Sequence, residues 1–415
     1  MKTVIITTIL IISSAITADA QQPMSLNDIL RIIDTANPMA QIYEAEIRSL
    51  DAAAKGAKNW MPAEFGTGLW MTPYNAGLWK KGANGTTGMG QYMLSVQQMI
   101  PGKRKQYAAA AYMEAMSAPE KERKKFALND LHAEAKKDYY DWIILKKRLA
   151  TLDENERLLD FMIKNAEIRF KNGLDKLNAY YKAKAQLGNI LNMKEGIKNE
   201  INQTRIRLNT LMNRNKLEPL AIDSVYTINV YDEPVDSNAL NAKSNIGAIN
   251  KDLQVTRLQQ DVERAKELPE YGIRYDHMFG FGGLPMQYNL MGLVKIPIGR
   301  ANRAAKANVE SLKWKAEALL QQKQLLLNEA SGMITAITAN INSKKRQVKL
   351  FEDNILPSLR KNYEVIQLGY QQNTEQLFTL LDAWNTLNET QTEYLNQLQQ
   401  LLGMQVEIER ILEVK

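Results

Sequence analysis

The feature that most constrains the fold is a regular seam near the end of the chain. Apolar and amide side chains recur there at alternating steps of three and four residues, at Leu377, Leu380, Trp384, Leu387, Gln391, Tyr394, Leu398 and Leu401. A spacing that averages about 3.5 residues is typical of helices that pair along a coiled-coil seam. Similar runs begin at Leu145 and Ile334. The helices of an ordinary bundle can show the same spacing, so the seam predicts long paired helices of either kind.

Two segments lack this period and alternate instead between apolar and polar residues. Residues 91–100 do so once, and residues 269–297 do so twice around a turn at 282–285. The predicted apolar faces carry Tyr92, Leu94, Val96 and Ile100, then Tyr271, Ile273, Tyr275 and Phe279, then Tyr288, Leu290, Val294 and Ile296. Each run has about ten residues, which is the length of a tilted strand that crosses a membrane. A soluble sheet alternates in the same way.

The chain also repeats itself. A shift of about 196 residues places Tyr92 on Tyr288, and a shift of about 200 residues places Gly173 on Asn373. In both copies the second strand of the predicted hairpin is followed by a proline, a glycine and basic residues. These matches predict a mainly α chain with β-strands, built from two copies of a helix, a β-hairpin, a long helix and a returning helix.

The start of the chain resembles an export signal. Lys2 precedes an apolar run from Val4 to Ile16, and Ala18-Asp19-Ala20 gives a cleavage pattern of small residues. No later segment has the ~18 consecutive apolar residues of a membrane-spanning helix, so entry into a membrane would require strands. The predicted segments are a signal peptide at 1–20, N-terminal helices at 21–61, a first membrane hairpin at 62–101, a first helical hairpin at 102–212, a connector at 213–245 with a strand-like run at 225–230, a helix at 246–268, a second membrane hairpin at 269–297 and a second helical hairpin at 298–415.

Composition argues against an enzyme. The chain has no cysteine and two histidines, which excludes thiolate metal sites, disulfides and nearly all histidine-based acid–base catalysis. A carboxylate hydrolase is the weakest alternative, because no convergent set of carboxylates is evident. The basic run at 121–125 lacks the aromatic interleaving of a nucleic-acid module. We therefore predict no catalytic residue, cofactor, metal site or nucleic-acid partner.

Several stretches resemble the TolC-like family of outer-membrane efflux channels. The likeness rests on the duplicated plan, on the proline-glycine-basic junctions and on two predicted turns at 169–174 and 370–374. Residues 381–387 resemble the stretch after the family's second turn, and Ile355-Leu356-Pro357 is similar to a run in its heavy-metal branch. Asn373 departs from the glycine that is usual there. Asparagine tolerates a left-handed turn better than most residues, so this turn is expected to form.

The resemblance implies a homotrimer. Three chains of four strands would close a twelve-stranded β-barrel in the outer membrane of a Gram-negative bacterium, and long helices would continue it as an α-helical barrel through the periplasm. Closure would remove strand edges that hydrocarbon does not tolerate. The trimer would contact outer-membrane lipid, a periplasmic adaptor and an inner-membrane pump, as a passive duct for solutes. A duct for type I protein secretion and a soluble periplasmic coiled-coil adaptor are the alternatives.

Three groups of site residues follow from this plan. The turn residues expected to contact the adaptor are Gly173, Leu174, Asn373 and Thr374. Asp382 does not occupy the apolar seam, so it is expected at the periplasmic entrance together with Glu375, although Thr379 stands where the family often has another acid. The residues expected at the membrane interfaces are the aromatic Trp70, Tyr92 and Tyr288 and the basic Lys103, Arg104 and Arg300.

Methionine is abundant, with 18 residues in the chain. Those in or near the predicted hairpins are Met61, Met71, Met89, Met93, Met99, Met278, Met286 and Met291. Thioethers can form a route for Cu(I). Flexible apolar packing and contact with lipid is the interpretation that we favour from the sequence.

Overall fold

The computed structural model of the protein describes residues 23–174, 176–229, 240–299 and 301–414. The predicted signal peptide, Arg300 and residues 230–239 of the predicted connector lie outside these ranges. None of the helices in the described ranges combines the length and apolar character that crossing a membrane requires.

The described chain is mostly helical with a smaller β part, which confirms the predicted mainly α class. The helices are α1 (Leu26–Ala36), α2 (Pro38–Ala54), α3 (Lys103–Ala115), α4 (Ser117–Lys171), α5 (Leu177–Leu211), α6 (Ser244–Ala265), α7 (Ala301–Leu350), α8 (Leu356–Gln371) and α9 (Leu377–Leu412). The strands are β1 (Glu64–Trp70), β2 (Gln91–Ile100), β3 (Glu270–Gly280) and β4 (Gln287–Lys295). The strand-like run from Val225 is not a strand over its described residues; Ile222 forms a parallel bridge with Met24 instead.

Prolines mark two of the helix boundaries. Pro119 lies in the first turn of α4, directly after the break at Met116, and Pro357 is the second residue of α8. A π-helical turn at Phe351–Ile355 precedes α8. Proline lacks an N–H donor and is tolerated in the first turn of a helix but not in its interior. The long helical stretches predicted from the sequence are therefore interrupted at these two points.

The four strands form one antiparallel sheet in the order β1-β2-β3-β4. Each half of the chain contributes one hairpin, and β2 pairs with β3 across the two halves, with Tyr92 opposite Phe279 and Ile100 opposite Tyr271. Directly opposed residues share a face of an antiparallel sheet. The register therefore decides which side chains of the two hairpins lie together.

The chain divides into two compact units. One contains residues up to Ile33, Ala135–Thr227 and Asn354–Gln399, and the other contains Asp34–Glu134, Ile228–Asp353 and Gln400–Lys415. In the first unit, Leu377, Leu380, Trp384 and Leu387 are at most 4% exposed and form one core with side chains of α4, α5 and α8. Of the predicted seam positions on α9, only Gln391 and Tyr394 are partly exposed.

Candidate functional site

One face of the sheet is apolar and exposed. Phe65 is 82% exposed, Tyr288 72% and Leu290 65%. The strand register places further exposed residues on the same face, at Leu69, Tyr92, Leu94, Ile100, Tyr271, Ile273, Tyr275 and Val294. Large contiguous apolar patches are rare on soluble monomers and mark surfaces that are covered in the working assembly.

The opposite face of the sheet is polar and better covered. Asp276 is only 2% exposed and accepts a hydrogen bond from Arg274 Nε at 2.9 Å, so its buried carboxylate has an ionic partner. Gln91, also buried, donates to Gln287 Oε1 at 3.1 Å. The sheet thus inverts the arrangement of a soluble protein, since its apolar side faces outward and its polar side is the more enclosed.

The three aromatic residues expected at the membrane interfaces do not share a face. Tyr92 and Tyr288 belong to the exposed apolar face, where the hydroxyl of Tyr92 accepts from Thr67 Oγ1 at 2.5 Å. Trp70 is half exposed and lies opposite Gln91 on the polar face. The sequence of β1 alternates poorly, with glycine at 66 and 68, so only its pairing with β2 assigns Trp70 to that face.

The basic residues that follow β2 divide into free and paired side chains. Lys103 and Arg104 are exposed at the start of α3. Lys105 is largely covered and donates to Glu270 Oε1 at 2.8 Å, at the beginning of β3. Lys295, the last residue of β4, lies 3.6 Å from the other oxygen of the same carboxylate. This carboxylate therefore joins the ends of β3 and β4 to the start of α3.

The loops of the two hairpins contact each other at the other end of the strands. Gly88 N donates to Gly282 O at 2.9 Å, and the rings of Trp79 and Phe281 stack with centroids 5.4 Å apart. A Cβ added at Gly282 would lie 2.6 Å from the Gly88 Cα. Glycine is required here because the two backbones approach too closely for a side chain.

The two helical turns have the same backbone hydrogen bonds. Gly173 has φ +72° and Asn373 φ +62°, so the left-handed turn expected at Asn373 is present. Gly173 N donates to Phe170 O and Leu174 N to Arg169 O, both at 2.9 Å. The corresponding bonds at the second turn join Asn373 N to Tyr370 O and Thr374 N to Gly369 O. This pair of bonds is the Schellman motif, which satisfies the last carbonyls of a helix.

Arg169 links the two turns. Its Nη1 donates to Tyr370 O at 3.1 Å and to Asn373 Oδ1, and its guanidinium lies 4.4 Å from the centroid of the Tyr370 ring. Nearby on α4, Lys171 donates to Glu167 at 2.8 Å, which lowers the pKa of Glu167 and raises the pKa of Lys171. The sequence placed Arg169 in a turn but gave it no role, because its acceptors are about 200 positions away.

The residues expected at the adaptor contact and at the entrance are all exposed. Leu174 is 57% exposed, and Thr374, Glu375 and Asp382 are exposed as well. Asp382 follows the buried Leu380 and Leu381 and is itself exposed. Grouping of these acids in a ring would require further copies of the chain.

A buried polar layer interrupts the apolar seam. Asn155 is 1% exposed; its Nδ2 donates to Asn388 Oδ1 at 2.9 Å, and its Oδ1 accepts from Trp384 Nε1 at 2.8 Å. Asn155 of α4 is thus joined to two residues of α9, and these bonds form at the observed alignment of the two helices. A buried asparagine in a helical seam is a known means of fixing register. The sequence gave no sign of it, since Asn155 belongs to an otherwise polar run.

The described residues contain no group of three or more histidine, aspartate or glutamate side chains placed to hold a metal ion. The two histidines are engaged elsewhere. His132 Nε2 lies 2.7 Å from Asp34 Oδ1, and His277 lies on the apolar face of the sheet beside Tyr275 and Phe279.

This order of long helices and a four-stranded sheet is the fold of bacterial outer-membrane channels, as the sequence resemblance implied. The chain is similar to CusC, with 14% identity and a TM-score of 0.75 over 93% of this chain and 91% of CusC. It is similar to the outer-membrane protein VceC of Vibrio cholerae, with 15% identity and a TM-score of 0.73 over 93% and 95%. The CmeC outer-membrane channel of Campylobacter jejuni gives 15% identity and 0.74 over 93% and 85%. No protein-family model and no curated protein matches the sequence.

Proposed function

We propose that the chain is the outer-membrane channel subunit of a tripartite efflux system and acts as a passive export duct. The observation that carries this proposal is the inverted sheet, whose outward face is apolar while its opposite face holds the Arg274–Asp276 ion pair. A membrane strand needs an apolar side toward lipid and tolerates a polar side toward a lumen. A soluble adaptor would have no use for such an exposed face.

The sheet also has two free edges. Within the described residues β1 and β4 each pair on one side only. Unpaired backbone groups are not tolerated in hydrocarbon, so further strands have to complete the sheet. We infer a homotrimer in which twelve strands close a barrel, with the polar face around the lumen. Cyclic symmetry then repeats every lumen-facing residue three times.

We also propose roles for the exposed residues of such a barrel. Lys103 and Arg104, directly after β2, would contact the phosphates of the inner leaflet, and Tyr92 and Tyr288 would contact the membrane boundary. The turn residues Leu174 and Thr374 would contact the periplasmic adaptor, which in turn joins the inner-membrane pump. A photo-crosslinker at position 174 should capture that adaptor in cells, whereas one at the equally exposed Met193 of α5 should not. Capture from position 193 alone would overturn this assignment.

The channel is tested with the purified full chain in detergent. Native mass measurement should give three chains, and planar bilayers should show conducting pores. A monomer that stays in the soluble fraction and gives no conductance would overturn the proposal. These measurements do not require the cargo or the pump to be known.

The same recordings test the entrance. Three copies of Asp382 around a narrow opening would concentrate cations, so Asp382→Asn should weaken cation preference and block by multivalent cations added from the periplasmic side. Glu167→Gln is the matched control, because Glu167 is also exposed near a turn but is neutralised by Lys171. Identical selectivity and block in wild type and Asp382→Asn would remove Asp382 from the entrance.

A further inference from the structure

The methionines of the strands all lie on one face of the sheet. These residues are Met93 and Met99 of β2, Met278 of β3 and Met291 of β4. The register places Met291 opposite Arg274 and Met99 opposite Gly272, so this is the polar face. These four methionines therefore lie on the side of the sheet opposite the exposed apolar face. This polar face carries four thioethers beside its glycine, serine, glutamine and charged residues.

Two of these methionines are direct neighbours. Met93 and Met278 are opposed partners across β2 and β3, and opposed residues have Cβ atoms about 4.5–5.5 Å apart. A methionine side chain is long and unbranched, so both sulfurs can reach one point above the sheet. Both residues are partly exposed, and the place is therefore open to solutes.

The surroundings leave room beside this pair. On β1 the residue opposite Met93 is Gly68, and a Cβ built there would have no atom within 4 Å. On β4 the residue opposite Met278 is Gln287, which is uncharged. The nearest acid along β3, Asp276, is already paired with Arg274. Two neutral sulfurs are thus the strongest ligands for a soft metal in this row of the sheet.

We propose that Met93 and Met278 form a binding site for a soft monovalent cation, Cu(I) or Ag(I), coordinated by their two thioether sulfurs. Thioethers select Cu(I) and similar soft ions, whereas carboxylate and carbonyl oxygens suit Mg²⁺ and Ca²⁺. Two uncharged ligands bind reversibly, which suits an ion in transit. The site rests on the strand register alone; only its position in a lumen, repeated three times, rests on the proposed barrel.

Silver is the probe, because Ag(I) binds thioethers and does not change oxidation state in air. Wild-type protein in detergent is titrated with silver nitrate in chloride-free buffer, and bound silver is measured by equilibrium dialysis. The test variant is Met93→Leu with Met278→Leu. The matched control is Met99→Leu with Met291→Leu, which removes the same number of thioethers from the same face without breaking an opposed pair. Exchange of methionine for leucine is among the best-tolerated core substitutions.

Wild type and the matched control should bind one more Ag(I) per chain than the test variant. Either single change at the pair should weaken this site by at least about tenfold, since even indirect supports of a metal site contribute that much. Equal binding by the two double variants would overturn the proposal. X-ray absorption of silver on wild type should show two sulfur neighbours, and a shell of oxygen or nitrogen alone would overturn it without any variant.

Native mass and potassium conductance of the test variant separate this proposal from the proposed function. Unchanged values with lost silver binding support the thioether site in an intact channel. Should wild type neither trimerise nor conduct, the channel proposal fails, and the silver measurements still decide the site.

Discussion

At the turn between α4 and α5 the left-handed residue is glycine, whereas at the turn between α8 and α9 it is asparagine. Both turns have the same two backbone hydrogen bonds, so the geometric demand is the same. Gly173 meets it without steric penalty. Asn373 meets it at some conformational cost, and its side-chain oxygen accepts a hydrogen bond from Arg169. The second turn therefore has a less favourable backbone conformation than the first, but it gains a hydrogen bond from Arg169.

The first turn donates the hydrogen bonds that join the two turns, and the second turn accepts them. The first turn supplies Arg169, and the second supplies Tyr370 and Asn373, from positions that correspond to Phe170 and Gly173 in the repeat. The equivalent of Arg169 in the second copy is Gly369, which has no side chain to return the contact. Duplicated halves have thus become complementary, and substitutions at the turns should have unequal effects.

The largest effect is expected from Gly173→Val. A Cβ at Gly173 would meet no atom within 4 Å, so the effect comes from the backbone: a β-branched residue at φ +72° costs about 1–3 kcal/mol. Hydrogen exchange of the backbone amides at positions 173 and 174 should be about tenfold faster than in wild type, or more. The reason is that 1.4 kcal/mol is a factor of ten in an equilibrium constant. Gly188→Val on α5 is the control, because a Cβ at Gly188 would also meet no atom within 4 Å. This variant should leave the two amides protected.

Unchanged protection of these two amides in Gly173→Val would contradict this expectation. Loss of the proposed trimer in this variant would mean that the turn supports assembly as well as the proposed adaptor contact. Native mass therefore accompanies the exchange measurement.

A smaller effect is expected from Arg169→Leu. This change removes two hydrogen bonds and a cation–π contact that join the turns, together about 1–2 kcal/mol. The loss should appear as faster exchange of Asn373 and Thr374, on the turn that was not mutated. Lys171→Leu, which removes only an exposed pair with Glu167, is the control. Faster exchange at the first turn alone would show that Arg169 does not couple the two.

The smallest effect is expected from Asn373→Gly. Glycine relieves the left-handed backbone but removes the oxygen that accepts from Arg169, and these opposing terms should leave the free energy of unfolding within about 1 kcal/mol of wild type. Asn373→Ala keeps the conformational cost and loses the acceptor, so it should be the less stable variant. Thermal unfolding followed by circular dichroism ranks the three proteins. An alanine variant more stable than the glycine variant would reverse the interpretation.

The features that sequence predicted are those that repeat at a fixed period. Leu377, Leu380 and Trp384 follow the seam spacing because they form one buried face of a helix. Tyr92 and Tyr275 follow the alternation of strands because they lie on one face of the sheet. Asn373 was recognised as a turn residue only because the repeat aligns it with Gly173. Pro119 and Pro357 each lie in the first turn of a helix, where the ring constraint of proline is tolerated.

The contacts that sequence did not predict join residues with no shared pattern. Asn155 pairs with Trp384 and Asn388, and Arg169 with Tyr370, only after separate helices have packed. Met93 alternates with Tyr92, so its face was readable from the strand, but its partner Met278 follows only from the register between β2 and β3. Long-range pairing of this kind is decided by packing and not by local preference.

The pairing of β2 with β3 also bears on how the chain folds. Ile100 and Tyr271 are opposed although about 170 residues separate them, and closing a loop of that length carries an entropy penalty that successive helical turns avoid. We expect the helices to form before the sheet. In the proposed outer-membrane channel, this order would delay formation of the exposed apolar face until both hairpins are present. The time in which that face could aggregate before it meets lipid would then be short.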